Sequence, residues 1–215
     1  MYIIGLTGGS GSGKTTVSNY LREKGFEIID FDLTTRELEK PGEPALKEIV
    51  EAFGPESLLP DGNMNRKYVG KVVFSNPTEK KKLDDIITRY VDVLVNARTD
   101  AFRRASEGVT RETNPDDYLQ KTVIFYDHPL LFEVPYKIEP HDEAWVVDVE
   151  DETRIERLML RDQIPREDLV RRIKSQTSRE FKLGLADRVI DNTGSVDQLL
   201  KNVDVLLADL DRRLP

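Results

Sequence analysis

Apolar residues are spaced in two ways along the chain, as short uninterrupted runs and as stripes that recur every three or four positions. Short apolar runs closed by a turn residue or an acid are typical of strands buried in a parallel sheet, and the wider spacing indicates amphipathic helices. The runs predict five strands, at residues 2–6, 26–30, 122–127, 144–148 and 188–191. Because helical patterns separate them, we expect an α/β fold with a parallel five-stranded sheet and helices on both faces.

The longest helical pattern fills the region between the second and third predicted strands. It shows no strand alternation, and proline and glycine divide it at 41–42, 54–55, 60–62 and 76–77. We interpret residues 34–121 as a helical insertion. Its last part, the polar stretch 107–121 around Asn114-Pro115, is expected to be an exposed loop.

Helical patterns also flank the last predicted strand. Two helices are predicted at about 152–161 and 166–175, with Pro165 suited to start the second, and Ser195 can cap a final helix. The predicted organisation is therefore a nucleotide-binding core of residues 1–33, 122–150 and 186–215, the helical insertion 34–121 and an arginine-rich lid 151–185.

The stretch from Gly8 to Thr15 fits the phosphate-loop pattern G-x-x-x-x-G-K-[ST] without a mismatch. A predicted strand precedes it and a helical pattern follows, so that backbone N–H groups and the helix N-terminus can face an anion. Lys14 would reach the β- and γ-phosphates of a nucleotide, and the Thr15 hydroxyl would bind Mg²⁺. The alternative, a glycine-rich turn without a ligand, accounts for the glycines but not for this context.

Composition excludes several classes of function. The chain has 215 residues, a formal net charge of −8 and a pI near 5.0, which argues against a nucleic-acid binder or a membrane-surface protein. Cysteine is absent and the histidines are His128 and His141, so thiolate and histidine-rich metal sites are excluded. Because no leader pattern and no apolar run of about twenty residues occur, we expect a cytoplasmic protein without a membrane partner. The oligomeric state stays open, with a monomer favoured.

Acidic residues end the predicted strands at the edge where parallel sheets bind ligands, namely Asp30 with the nearby Asp32, Asp127 and Asp148. A kinase that acts on a hydroxyl needs one carboxylate at that hydroxyl and another near Mg²⁺. Asp32 is our candidate base and Asp127 our candidate for the outer shell of the metal. A plain turn or helix-cap role is the open alternative for both, and for Asp148 we favour the cap.

The first lid helix carries two neighbouring stripes, one basic and one apolar: Arg154, Arg157 and Arg161 beside Ile155, Leu158 and Met159. After a phosphate loop, the arginines suit a mobile cover that brings positive charge to a triphosphate. A surface helix rich in ion pairs is the alternative, because glutamates alternate with the arginines.

The turn 191–194 either holds a nucleobase or is an Asx turn before the last helix. Trp145 is expected in the core and both histidines in loops.

A series of motifs follows in order along the chain: Leu6-Thr7-Gly8-Gly9-x-Gly11-Ser12-Gly13-Lys14, Ile29-Asp30-x-Asp32-x-x-x-Arg36, Pro41-Gly42 with Ala45-Leu46, Val73-Phe74-Ser75-Asn76-Pro77, Asp127-x-Pro129-Leu130-Leu131-Phe132-Glu133, Arg157-Leu158-Met159-x-Arg161-Asp162, Arg172-Ile173-x-x-Gln176, Ala186-Asp187, Val189-Ile190-Asp191-Asn192 and Gly194. Together they resemble the dephospho-CoA kinase family. The phosphate loop alone is shared by many families, whereas the ordered combination is specific.

The resemblance implies a P-loop NTPase-type fold and transfer of the γ-phosphate of ATP, with Mg²⁺, to the ribose 3′-hydroxyl of dephospho-CoA, the last step of coenzyme A synthesis. It assigns Asp32 as the general base, Lys14 as the loop lysine and Arg161 as a lid arginine near the transferred phosphate. It further implies that the helical insertion 34–121 is the acceptor domain, which binds the CoA part of the substrate, with Arg36 and Leu131 as acceptor contacts, and that Thr15 and Asp127 bind the metal. The implied ATP-binding residues are Gly9, Gly11, Ser12, Gly13, Lys14, Thr15, Thr16 and Asn192, the last near the adenine.

Other functions stay open beside this one. The nearest is a P-loop kinase of another small hydroxyl acceptor, a nucleoside or a nucleoside monophosphate. A GTP-binding switch is disfavoured because no Asn-Lys-x-Asp motif occurs. A regulator without catalysis is disfavoured by the presence of Lys14, Thr15, Asp32 and Arg161. The chain also departs from the family pattern, with Ile87-Thr88-Arg89 where a leucine-histidine-proline turn is usual and with the polar stretch 107–121.

Overall fold

The computed structural model describes residues 1–133 and 140–215. The described chain forms two compact units. The first comprises residues 1–29, 102–133 and 140–215, and the second comprises residues 30–101. Residues 134–139 of the predicted core segment 122–150 lie outside the described residues.

The first unit is built on a five-stranded parallel sheet, as predicted. In chain order its strands are β1 (Tyr2–Gly8), β2 (Glu27–Asp30), β3 (Val123–Asp127), β4 (Glu143–Asp148) and β5 (Arg188–Asp191). Their order across the sheet is β2-β3-β1-β4-β5, with β1 paired to both β3 and β4. The carboxyl ends of β1, β3 and β4 therefore meet at one edge, where a parallel sheet binds its ligands.

The helices of both units are, in chain order, α1 (Lys14–Glu23), α2 (Phe31–Leu38), α3 (Pro44–Phe53), α4 (Arg66–Ser75), α5 (Pro77–Ser106), α6 (Tyr118–Thr122), α7 (Asp151–Asp162), α8 (Arg166–Lys174), α9 (Arg179–Gly184) and α10 (Val196–Arg213). Pro165 precedes α8, and the Ser195 hydroxyl accepts the Gln198 N–H at 3.2 Å to cap α10, as the sequence predicted.

The core of the first unit contains the apolar runs of the central strands and one face each of α1 and α10. All five residues of β3 are buried, as expected for a strand covered on both faces. Phe125 and Trp145 meet edge to face with ring centroids 5.5 Å apart. Trp145 is fully buried, and its indole N–H donates to the Glu143 carboxylate at 2.9 Å, so its predicted place in the core is confirmed.

The second unit is helical, as predicted for this part of the chain. Its strand-like pairing among the described residues is a single isolated bridge between Leu58 and Met64. Helices α3, α4 and α5 share a core whose buried members are Ile49, Phe53, Val69, Val73 and Ile86. The predicted breaks at 41–42, 54–55 and 76–77 lie at the ends of these helices, and the break at 60–62 lies in the connection between α3 and α4.

Two short helices escaped the sequence analysis. Helix α6 forms at the end of the stretch 107–121, which we had expected to be loop throughout, and α9 follows the two predicted lid helices. Each has only five or six residues, too few for a hydrophobic period to be visible. The rest of the polar stretch lacks helix and strand and is mostly exposed, as expected.

Three local predictions were wrong in detail. Helix α2 begins at Phe31, so Asp32 lies in its first turn rather than at the end of a strand, and the Asp30 carboxylate caps the helix by accepting the Leu33 N–H at 2.9 Å. Asp148 caps no helix, because both its oxygens accept hydrogen bonds from Arg179, at 2.8 and 2.7 Å. Met159 was predicted on the apolar stripe of α7 but is 38% exposed, so the buried part of that stripe consists of Ile155 and Leu158.

Candidate active site

The glycine-rich segment between β1 and α1 forms the phosphate loop. Gly13 precedes α1 with φ of 97°, a left-handed conformation that favours glycine. A Cβ at Gly9 would overlap the Arg154 guanidinium, and one at Gly13 would overlap the Asn192 amide. These two glycines therefore allow side chains from behind to pack directly on the loop backbone.

The inner surface of the loop has the chemistry of an anion site. It lies at the N-terminus of α1, where unpaired N–H groups and the helix dipole favour negative charge. The Ser12 hydroxyl is buried and has no hydrogen-bond partner among the described residues. That hydroxyl lies beside Gly8 and lines the cavity behind the loop, so the groups that can face an anion are the N–H groups at the start of α1. The loop therefore fits the phosphates of a nucleotide.

Lys14 and Asp127 form an ion pair at the mouth of this loop. Lys14 is the first residue of α1, and Asp127 is the last residue of β3, the strand paired with β1. The Asp127 side chain is only 3% exposed, and the ammonium group of Lys14 compensates its buried charge. The structure thus brings together two of the residues that the sequence singled out.

The hydroxyl groups of Thr15 and Thr16 follow in the first turn of α1. Thr15 is exposed and Thr16 is half-buried, with its N–H bonded to the Gly13 carbonyl at 3.0 Å. No group of three or more histidines or acids in the described ranges could hold a metal ion by itself. An ion bound mainly by phosphate oxygens needs only one or two protein oxygens, and Thr15 with Asp127 fits that requirement.

Asn192 supports the phosphate loop from the end of β5. It is buried, and its side-chain amide donates to the Ser12 carbonyl at 2.7 Å. Arg157 of α7 in turn donates to the Asn192 carbonyl at 2.9 Å. In the same turn, Asp191 accepts the Thr193 N–H at 3.1 Å, which is an Asx turn. This geometry explains the turn without a nucleobase, and contact between Asn192 and adenine stays a prediction.

The three arginines of α7 do not form one exposed surface. Arg154 is 5% exposed and binds the phosphate loop, Arg157 binds Asn192, and Arg161 lies on the outside of the helix. The Arg161 guanidinium donates to both oxygens of the adjacent Asp162, at 2.6 and 2.9 Å, and lowers the pKa of that carboxyl. The predicted role of Arg161 at the transferred phosphate stays a prediction.

Asp32 and Arg36, the candidates for the acceptor, both lie exposed on α2 in the second unit. Arg98 of α5 fixes this helix by donating to the Thr34 hydroxyl at 2.9 Å and to Glu37 at 2.5 Å. The helix thereby presents its exposed side chains from a firmly held backbone.

Leu131, the other candidate for the acceptor, packs on β1 in the first unit. It is half-buried, and its side chain occupies the space beside Gly5 that a Cβ there would need. The neighbouring His128 is buried, and its Nδ1 accepts the Leu130 N–H at 3.1 Å. Burial lowers the pKa of His128 to about 3, so it is neutral near neutral pH. It therefore shapes this turn, as expected for a loop residue.

Several residues near the loop escaped the sequence analysis. Lys182 of α9 is buried and pairs with Glu133 at 2.5 Å, and together with Arg154 and Arg179 it lines a small cavity behind Gly9 and Ser12. Only the acid was part of a motif. Helix α9 is too short to be predicted from a hydrophobic period, so the sequence could not indicate that Lys182 faces Glu133.

Comparison with known proteins identifies relatives over nearly the whole chain. The model of the dephospho-CoA kinase family matches residues 2–198. A dephospho-CoA kinase from Corynebacterium jeikeium is 40% identical over 95% of this chain and 97% of its own, and one from Streptococcus pneumoniae R6 is 36% identical over 95% and 94%. Among solved structures, TT1252 from Thermus thermophilus has a TM-score of 0.76 at 29% identity, covering 97% of both chains. A dephospho-CoA kinase from Campylobacter jejuni has a TM-score of 0.66 at 21% identity, covering 98% of this chain and 97% of that one, which supports the fold.

Proposed function

The chain belongs to the dephospho-CoA kinase family, and we propose that it transfers the γ-phosphate of ATP to the ribose 3′-hydroxyl of dephospho-CoA. The observation that carries the proposal is the phosphate loop with Lys14 and Asp127 at its mouth, in a chain that matches the family over residues 2–198. The loop accounts for a nucleotide donor, and the family accounts for the acceptor.

The phosphate loop would bind the triphosphate through its N–H groups and Lys14. The ammonium group of Lys14 would exchange part of its contact with Asp127 for the β- and γ-phosphate oxygens. Residues from Gly9 to Thr16 thus form the donor site in this proposal. The turn that begins at Asn192 would lie near the adenine, because it follows β5 at the same edge of the sheet as the phosphate loop.

Thr15 and Asp127 are the residues that would hold Mg²⁺, the first by its hydroxyl and the second through water. When bound, the ion neutralises charge on the phosphate oxygens. Asp127 is suited to this place because its carboxylate is fixed at the end of a buried strand.

Asp32 would act as the general base toward the acceptor. In the proposed step, the ribose hydroxyl gives its proton to the Asp32 carboxylate while its oxygen bonds to the γ-phosphorus. The bond from the γ-phosphorus to the bridging oxygen breaks, and its electrons leave on ADP. Arg161 would stabilise the charge on the transferred group, and Arg36 and Leu131 would contact the acceptor.

An acceptor panel tests this proposal. We expect ADP release to be fastest with dephospho-CoA, when it is compared with nucleosides, nucleoside monophosphates and water under the same ATP and Mg²⁺ concentrations. The competing function is that of a P-loop kinase for another small hydroxyl acceptor. Turnover of a nucleoside without turnover of dephospho-CoA would establish that rival.

A further inference from the structure

We infer that Arg154 is a positioning residue for ATP, which holds the phosphate loop in its anion-binding form and couples it to the lid helices through Gln176. The inference rests on the proposed function only in taking ATP as the ligand of the loop. It concerns an arginine that lies outside the family motifs noted in the sequence.

The contacts of Arg154 converge on the first half of the loop. Its Nε donates to the Ser10 carbonyl at 2.9 Å, and its guanidinium packs against Gly9 where a Cβ would otherwise be. Its Nη1 donates to Asp151 at 2.6 Å, and its Nη2 donates to the Gln176 side-chain oxygen at 2.8 Å. A single guanidinium fork thus joins the loop, the start of α7 and the segment after α8.

Gln176 completes this arrangement on the same loop residue. Its amide nitrogen donates to the Ser10 hydroxyl at 2.7 Å, and its oxygen accepts the Ser10 N–H at 3.3 Å. Ser10 is therefore held at its carbonyl by Arg154 and at its hydroxyl and N–H by Gln176. A small apolar core formed by Ile155, Leu158, Leu169 and Ile173 packs α7 against α8.

The physical consequence concerns the carbonyl groups of the loop. An anion site needs N–H groups directed inward, and a carbonyl directed inward would repel the phosphate. The Gly9 carbonyl accepts the Ser12 N–H at 3.0 Å, the Ser10 carbonyl accepts from Arg154, and the Ser12 carbonyl accepts from Asn192. The loop holds the first of these bonds by itself, whereas side chains from other elements supply the other two.

Helix α7 controls both of those side-chain contacts. Arg154 binds Ser10 directly, and Arg157, one turn later, donates to the carbonyl of Asn192. The backbone of α7 also lies against the loop, since a Cβ at Gly11 would come within 3.0 Å of the Arg154 carbonyl. The Arg154 side chain is only 6% exposed, whereas its acidic partner Asp151 is 53% exposed and is therefore screened by water. The positive charge beside the loop is thus only partly compensated. Arg154 thus supports phosphate binding by geometry and by charge.

Replacement of Arg154 by methionine tests the inference. We expect the Kd for ATP and the KM for ATP to rise by roughly 10-fold or more, as the loss of charge-assisted hydrogen bonds implies. We expect kcat to change by less than about 3-fold, because a contact made equally in the ground and transition states affects binding alone. Calorimetric titration with ATP gives Kd, and initial rates with dephospho-CoA give KM and kcat.

Three further variants separate positioning from simple destabilisation. Q176M keeps Arg154 and should raise the Kd for ATP by a smaller factor than R154M does. Because Arg154 and Gln176 both bind Ser10, adding Q176M to R154M should raise the Kd further by less than Q176M does alone. R154K should recover only a small part of the affinity, because a lysine ammonium is a point donor on a flexible stem and lacks the planar fork that donates to Ser10, Asp151 and Gln176 at once. If R154M does not fold, Q176M and R154K decide the question.

The matched control is R171M, since Arg171 is an exposed arginine of α8 whose partner is Asp168. A Kd for ATP in R154M equal to that of R171M would overturn the inference, as would a collapse of kcat at unchanged Kd. The proposed function fails separately: if the wild type binds ATP but does not phosphorylate dephospho-CoA, the effect on Kd still tests Arg154.

Discussion

At the scale of single residues, Lys14 is both a phosphate ligand in our proposal and the partner of a buried carboxylate. Asp127 is 3% exposed, and removal of the cation beside a buried charge is strongly destabilising. We expect K14M to lower the free energy of unfolding by on the order of 3 kcal/mol and K14M/D127N to recover most of it. Urea titration near neutral pH measures both.

The control for this pair is K81M, which removes an exposed lysine from an i,i+4 pair with Asp85 on α5. Such surface pairs contribute only about 0.5 kcal/mol. A K14M variant no less stable than K81M would contradict the claim that Lys14 compensates the buried charge of Asp127.

His128 predicts a dependence of stability on pH. Burial lowers its pKa from 6.5 to about 3, so the unfolded chain binds a proton that the folded chain does not bind between these two values. The free energy of unfolding therefore falls as the pH drops from about 6.5 toward 3, by up to about 1.4 kcal/mol per pH unit from this residue. In H128N this contribution should vanish, leaving a shallower acid slope in denaturant titrations. Identical slopes in H128N and the wild type would contradict the shift.

Asp32 gives the residue-scale test of catalysis. We expect D32N to bind ATP almost as the wild type does, because the proposed contact of Asp32 is with the acceptor. Its kcat should fall by roughly 10²-fold or more, as the loss of a general base implies. Calorimetric titration and initial rates give the two quantities. D32N turnover equal to wild-type turnover would remove Asp32 from the mechanism.

At the scale of elements, the polar stretch 107–121 is held by Arg111. Its guanidinium donates to Asp211 of α10 at 2.7 Å and lies 4.5 Å from the Tyr118 ring centroid. We expect R111A to loosen this stretch and to increase the rate of limited proteolysis within residues 107–117, while ATP turnover with dephospho-CoA stays unchanged. A cleavage rate equal to that of the wild type would show that other contacts hold the loop.

Elements could be predicted from the sequence where their pattern is longer than a turn. The five strands and the long helices have runs or stripes that few other structures explain, and the phosphate loop has a pattern with strict positions. Helices α6 and α9 are too short to show a period. The contacts of Arg154 could not be predicted, because three arginines lie on the same stripe of α7. They are distinguished only by the tertiary structure, which places the Ser10 carbonyl near Arg154 and the Asn192 carbonyl near Arg157.

At the scale of the whole molecule, the net charge of −8 conceals a local positive cluster. Lys14, Arg154 and Arg157 lie at or behind the phosphate loop, although acids exceed bases along the chain. Such local charge can attract a polyphosphate to an acidic protein. In the described part of the chain, no helix is long and apolar enough to cross a membrane.

The central claim is that this chain phosphorylates dephospho-CoA on its ribose 3′-hydroxyl. The most direct measurement is the structure of the product, obtained by incubating the wild type with ATP, Mg²⁺ and dephospho-CoA and assigning the new phosphate by proton and phosphorus NMR. We predict one new monophosphate ester, coupled to the ribose 3′ proton, in a product that is identical to coenzyme A. A phosphate on any other hydroxyl, or no phosphorylated product, would contradict the account.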